Sequence, residues 1–186
     1  MSDAIPRLSF AQLDPALGKY LKPTVERLGY LGEFFQTAGH VPDAVRQFME
    51  YTKAVKSPLA DNLNEVLALG VCAALGARYE LIQHERLAQR LGFTLEWIAA
   101  AEGRIDAASG LLNEEERVAR DLALAMLQDF GRCAAGPVER ANAVLGPQRA
   151  MAALLQITRF MMIASLCNAL HLALPVKSVF EAGESA

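Results

Sequence analysis

The stretch from Asp61 to Arg90, DNLNEVLALGVCAALGARYELIQHERLAQR, constrains the fold more than any other part of the chain. It is long, apolar and rich in good helix formers, yet it carries Glu65, Arg78, Glu80 and His84. As one straight helix it would hold Glu65 and Glu80 roughly 22 Å apart at ~1.5 Å per residue, too far to share a site in one subunit. Gly76 offers a place where the first helix can stop and the chain turn back at Ala77-Arg78. The predicted arrangement is therefore a helix pair broken near Gly76, with Glu65 facing Glu80 and His84 across it.

The rest of the chain is punctuated in the same helical grammar. Residues 1–13 read as a loose arm. Asp14-Pro15 supplies an N-cap and a proline in the first turn, and Pro23 predicts a break, with a second helix from Thr24 to Thr37 that stacks Leu28, Leu31, Phe34 and Phe35. Pro42 opens the next helix, which Lys56-Ser57-Pro58 ends. Thr94 caps a short helix to about Glu102, and Asn113 with Glu116 forms a capping box for a helix running to Gly131. Gly136-Pro137 and Gly146-Pro147 begin a short helix over 137–145 and a long one over 148–172. No internal repeat emerges, and the predicted class is all-α, a single domain over 1–186 with its core at about 24–176.

Composition narrows the partners. With 53% hydrophobic residues and a mean hydropathy of +0.19 the chain can bury a substantial core. Eighteen basic residues against 21 acidic ones give a net charge of −3, with no basic patch, which argues against nucleic acid. The 148–172 helix is apolar enough to raise a membrane span, but Arg149, Gln156, Arg159, Asn168 and His171 interrupt it, and a buried bundle or subunit-interface helix is expected instead. The N-terminus lacks the pattern of a signal peptide, so a cytoplasmic location is expected. Cys72, Cys133 and Cys167 are widely spaced, as reduced thiols of core type would be.

Glu80 and His84 stand at i, i+4, so they share a helix face, and a carboxylate beside an imidazole is the minimum for proton transfer near neutral pH. Glu65 can supply a second carboxylate, Arg78 a grip on an anionic substrate, and Tyr79 a phenolic donor. The plainer alternatives are a solvated Glu/His face and a Glu65 placed in the first turn for the helix dipole. A metal is not expected: no third or fourth ligand, whether His40 or His171, can be placed with these groups.

NEVLALGVCAALGARYELIQHERLAQRLGF, preceded by EFFQTAGHVPDAVRQFMEYTKAV, resembles the carboxymuconolactone decarboxylase family with its alkylhydroperoxidase D-like fold. The resemblance runs from about Tyr30 to Glu102 and resumes in EERVARDLALAM and LLQITRFMMIASLCNALHLALPV. In the family's redox-active members a Glu precedes C-x-x-C-x-x-x-H. Here Glu65 and His84 fit that pattern, while Ala77 and Glu80 occupy the thiol positions. The resemblance therefore implies the lactone decarboxylase branch: a lyase-type enzyme without metal or organic cofactor, acting on a small anionic lactone or carboxylate through His84, Glu80 and Glu65. In that reading Glu80 orients His84. It also implies assembly as a homo-oligomer, a trimer or hexamer. The alternatives are a peroxidase-related antioxidant protein with its chemistry moved to Cys72, and a non-catalytic oligomeric binding protein.

Overall fold

The computed structural model describes residues 5–106 and 109–181, and among these the regular structure is helical, with no strand. Nine α-helices follow in order: α1 Pro15–Leu28, α2 Glu33–Ala38, α3 Pro42–Lys56, α4 Asp61–Ala74, α5 Arg78–Arg90, α6 Leu95–Glu102, α7 Glu114–Leu127, α8 Ala135–Leu145 and α9 Pro147–Ala169. The centre of the bundle is α4, whose residues from Leu63 to Cys72 are all buried. A helix without a polar face must be enclosed on every side. Accordingly α5, α6, α7 and α9 pack around it.

Gly76 ends α4 as the sequence predicts. Its φ of +61° is a conformation that only glycine adopts without strain, and the Ala77 N–H reaches back to the Cys72 carbonyl at 2.9 Å. The chain reverses there, so α5 runs back beside α4. The caps predicted at Asp14, Thr94 and Asn113 are all formed, the last as a reciprocal box with Glu116 at 3.0 and 2.8 Å.

Several boundaries differ from expectation. Pro23 does not divide α1, because Pro23 and Lys19, whose carbonyl loses its helical partner, both face solvent. The break falls instead at Gly29, at φ +80°, so the predicted 24–37 helix separates into the end of α1 and the short α2. The arm is also less loose than its sequence implies. Over residues 5–13, Leu8 N–H donates to the Gln36 carbonyl, Arg7 pairs with Glu33 at 3.0 Å, and Leu13 joins a satellite core with Leu17, Leu21 and Val45; residues 1–4 lie outside the described part. At its far end α7 passes into a tight turn over Gln128–Gly131, and α9 stops at Ala169 because His171 takes a positive φ of 50°.

By length and composition α9 could cross a membrane. Here its inner face, including Ala153, Ile157, Phe160 and Ala164, is fully buried against the bundle. Met151, Met162 and Leu166 remain exposed on the outer face.

Candidate active site

Glu65 comes from the middle of α4, and its side chain is 1% exposed. Because α4 and α5 run back beside one another, His84 of α5 reaches it, with Nδ1 2.7 Å from Glu65 Oε2. A carboxylate oxygen accepts, so Nδ1 donates and Nε2 is the nitrogen left for other chemistry. Nε2 lies 3.9 Å from Glu80 Oε2, beyond hydrogen-bond distance. The sequence assigns the orienting contact to Glu80, the helical neighbour of His84. The structure places Glu65 in that position, since a partner on the facing helix can meet the ring end-on, whereas an i, i+4 partner approaches it from the side. The His84 ring also packs perpendicular to Phe160 of α9, centroid to centroid 5.0 Å.

Glu80 is buried, and burial holds its carboxyl above the usual range, with His84 and Arg159 pulling it back down. Gln83 Nε2 is 3.4 Å from it. A carboxyl displaced upward in a cleft beside an imidazole is suited to carrying a proton.

Arg159 enters from α9, is 6% exposed, and has its guanidinium 3.8 Å from the centroid of the Phe160 ring. Burial draws its pKa below the ordinary arginine value, with Glu80 foremost among the groups opposing that shift. A buried polar chain fixes it: Arg159 Nε donates to Gln156 Oε1 at 2.8 Å, Gln156 Nε2 donates to Asn64 Oδ1 at 3.1 Å, and Asn64 Nδ2 donates to the Leu59 carbonyl at 3.0 Å. A satisfied ladder of this kind holds a buried cation in one place. In the sequence Arg159 stands out only as an interruption of an apolar helix. The available signal was Gln156 and Arg159 at i, i+3, two hydrogen-bonding groups on the inner face of α9.

These groups converge on a cleft of about 210 Å³ between α1, α2, α3, α5 and α9. Glu80, His84, Tyr79 and Arg159 line it, with Phe34, Phe48 and Ile163 as apolar wall. Tyr79 Oη accepts from the Phe34 N–H at 3.3 Å, and burial raises its phenol well above the ordinary value. Arg78 stands elsewhere: it is exposed, pairs with Glu181, and borders a separate hollow beside the C-terminal segment. Arg78 and Tyr79 are adjacent in the first turn of α5, about 100° apart around its axis, so Tyr79 reaches the cleft while Arg78 does not. Among the described residues, no three His, Cys, Asp or Glu side chains are grouped to hold a metal ion.

Residues 41–123 match the carboxymuconolactone decarboxylase family. This chain has Ala77 and Glu80 rather than a cysteine pair before His84. Solved structures share its alkylhydroperoxidase D-like fold. A peroxidase-related protein from Ralstonia eutropha JMP134, described as an alkylhydroperoxidase AhpD core, is 16% identical, with a TM-score of 0.77 over 90% of both chains. The debrominase Bmp8 is 18% identical with a TM-score of 0.81, covering 95% of this chain and 94% of its own. A cysteine-to-alanine variant of Bmp8 has been solved with 2,3,4-tribromopyrrole. No curated protein matches this sequence.

Proposed function

We propose that this protein is an acid/base enzyme acting on a small carboxylate or lactone through its own side chains, by decarboxylation or double-bond isomerisation. The observation that carries this reading is the 2.7 Å Glu65–His84 contact, which leaves Nε2 toward a cleft that also holds the buried Glu80 and Arg159. Glu65 keeps the ring in one tautomer and orientation. His84 Nε2 accepts a proton from a carbon next to a carbonyl, or returns one to it. Glu80, protonated more readily than an ordinary carboxyl, is the complementary acid. Arg159 supports negative charge as it grows on the carbonyl oxygen. In a decarboxylation the C–CO₂ bond breaks, its electron pair moves into the carbonyl as an enolate beside Arg159, and the carbon then takes a proton from Glu80 or His84.

The test is turnover by His84→Ala across small lactones and β,γ-unsaturated or β-keto acids. Turnover should fall by about 10²–10⁴-fold with the fold intact; unchanged turnover of every such substrate overturns the reading.

The peroxidase-related names of some structural relatives favour a second reading, with chemistry at Cys72. Cys72 and Cys167 are both buried, and burial raises both thiols, so neither is a ready thiolate. Loss of free Cys72 on exposure of the native protein to peroxide would favour that reading over acid/base chemistry. The exposed Met151, Met162 and Leu166 of α9 support the further proposal of a homo-oligomer, trimeric or hexameric, tested by light scattering.

A further inference from the structure

The mouth of the cleft differs chemically from its floor. Arg27 at the end of α1, and Arg86 and Arg90 of α5, line the cleft together with Arg159 and His84, and Glu80 is the one carboxylate among the lining residues. Arg27 and Arg90 are exposed and Arg86 is half-buried, whereas Glu80 and Arg159 are buried, so three guanidinium groups form a rim above a deeper acid/base floor. Among the described residues no carboxylate pairs with Arg27, Arg86 or Arg90. Their fields converge on Tyr30, which also lines the cleft: burial raises its phenol most strongly, and Arg86, Arg90 and Arg27 each pull it down. Three unpaired cations around one cavity repel each other, a cost that an incoming anion relieves.

The α5 register sets the distance between the two ends. Arg86 and Arg90 are i, i+4 on the cleft side, and Arg90 lies about 9 Å along the axis from His84. Helical side chains lean toward the N-terminus, which brings the Arg90 head back toward His84. The space between is apolar and partly aromatic, bounded by Leu28, Phe34, Phe48, Leu87 and Ile163. At about 210 Å³ the cleft lies below the ~300–1,000 Å³ of pockets that take drug-sized ligands, so its occupant is small.

We propose that the cleft binds a small carboxylic acid carrying one apolar ring, its carboxylate held by Arg27, Arg86 and Arg90 at the mouth and its ring seated against Phe34, Phe48 and Ile163 beside His84. The two ends require an amphipathic acid. A compact polyanion would leave the aromatic wall uncovered, and a neutral ring would leave the three cations unpaired. The proposal rests on the acid/base reading only for which end of the ligand reacts, and binding is measured without turnover.

The experiment is calorimetric titration with benzoate, its neutral counterpart benzamide, and the ringless anions acetate and phosphate, at low and high salt. Benzoate should bind at least about tenfold more tightly than the other three, and more weakly as salt rises. Arg86→Ala and Arg90→Ala should each weaken benzoate by about threefold to tenfold and leave benzamide unaffected. Turnover is not read in this titration, so benzoate binding in a protein that turns over no lactone or carboxylate leaves this proposal standing while the acid/base reading fails. Benzamide binding as tightly as benzoate, acetate or phosphate doing so, or no measurable benzoate binding overturns the proposal. If the arginine variants fail to fold, the comparison of benzoate with benzamide at two salt levels in the unmodified protein decides alone.

Discussion

Helix α5 carries buried carboxylates on two of its faces, and they have opposite fates. Glu80 and Glu85 are five residues apart, about 140° around the axis at ~3.6 residues per turn. Glu80 looks into the cleft, with His84 beyond hydrogen-bond distance and only a long contact from Gln83. Glu85 looks toward the C-terminal segment, where its Oε2 accepts from the Ser178 hydroxyl and from the Val179 N–H at 3.1 Å, while Arg104 stands 3.9 Å from its other oxygen. Arg104 also pairs with Glu102 and covers the Phe180 ring at 4.4 Å. Both carboxylates are buried. What distinguishes a reactive site from a fastening is unspent hydrogen-bond capacity facing a cavity.

Losses on the two flanks should have different consequences. Glu65→Ala should lower turnover by about 10²-fold or more, since His84 loses the partner that fixes its ring. Glu85→Ala should leave turnover unchanged but cost about 1–3 kcal/mol, because the Ser178 hydroxyl and Val179 N–H lose their acceptor. That corresponds to roughly 2–4 °C of Tm per kcal/mol for a chain of this size, read by thermal denaturation. If both variants lose turnover alike, the two flanks are not functionally separate.

The effect of pH sharpens the same contrast. Glu102 is pushed up to about 7, mainly by burial, with Arg104 opposing and Glu85 adding to the rise. A carboxyl with a raised pKa stabilises the fold in its protonated form. That contribution is full below the unfolded value of 4.5 and is lost as pH rises through about 7. Urea melts of the Glu102→Gln variant should therefore show a flatter pH dependence between about pH 5 and about pH 8, with higher stability than the parent at the alkaline end. On the cleft flank the raised Glu80 should govern activity instead. Turnover that needs its protonated form declines as pH rises through its pKa, and Glu80→Gln should remove that alkaline limb from the pH–rate profile. The smallest expected effect is Ser178→Ala, about 0.5–1.5 kcal/mol in urea titration, because Val179 N–H still holds Glu85.

Much of this was legible in the sequence. The break at Gly76, the caps at Asp14, Thr94 and Asn113, and the helix starts after Pro42 and Pro147 are local decisions, made by glycine φ, proline φ and side-chain oxygens within a few residues. Local signals misled where context had the last word: Pro23 is harmless because solvent surrounds the turn it disrupts, and Gly29 rather than Pro23 ends α1. Glu65, Glu80 and His84 were singled out by spacing and by resemblance. Their relative distances were not, because an i, i+4 rule describes one helix and the shorter contact crosses between two.

Sequence alone thus determined the all-helical class, the resemblance to the carboxymuconolactone decarboxylase family, the reversal between α4 and α5, and the absence of a cysteine pair before His84. Those follow from short-range stereochemistry and residue identity. Only the tertiary structure decided that Arg159 stands beside Glu80, that Arg27 joins Arg86 and Arg90 at one mouth, and that Arg78 turns to Glu181 instead. Those residues come from helices distant in the chain, and burial against α4, not spacing along the sequence, sets where their side chains meet.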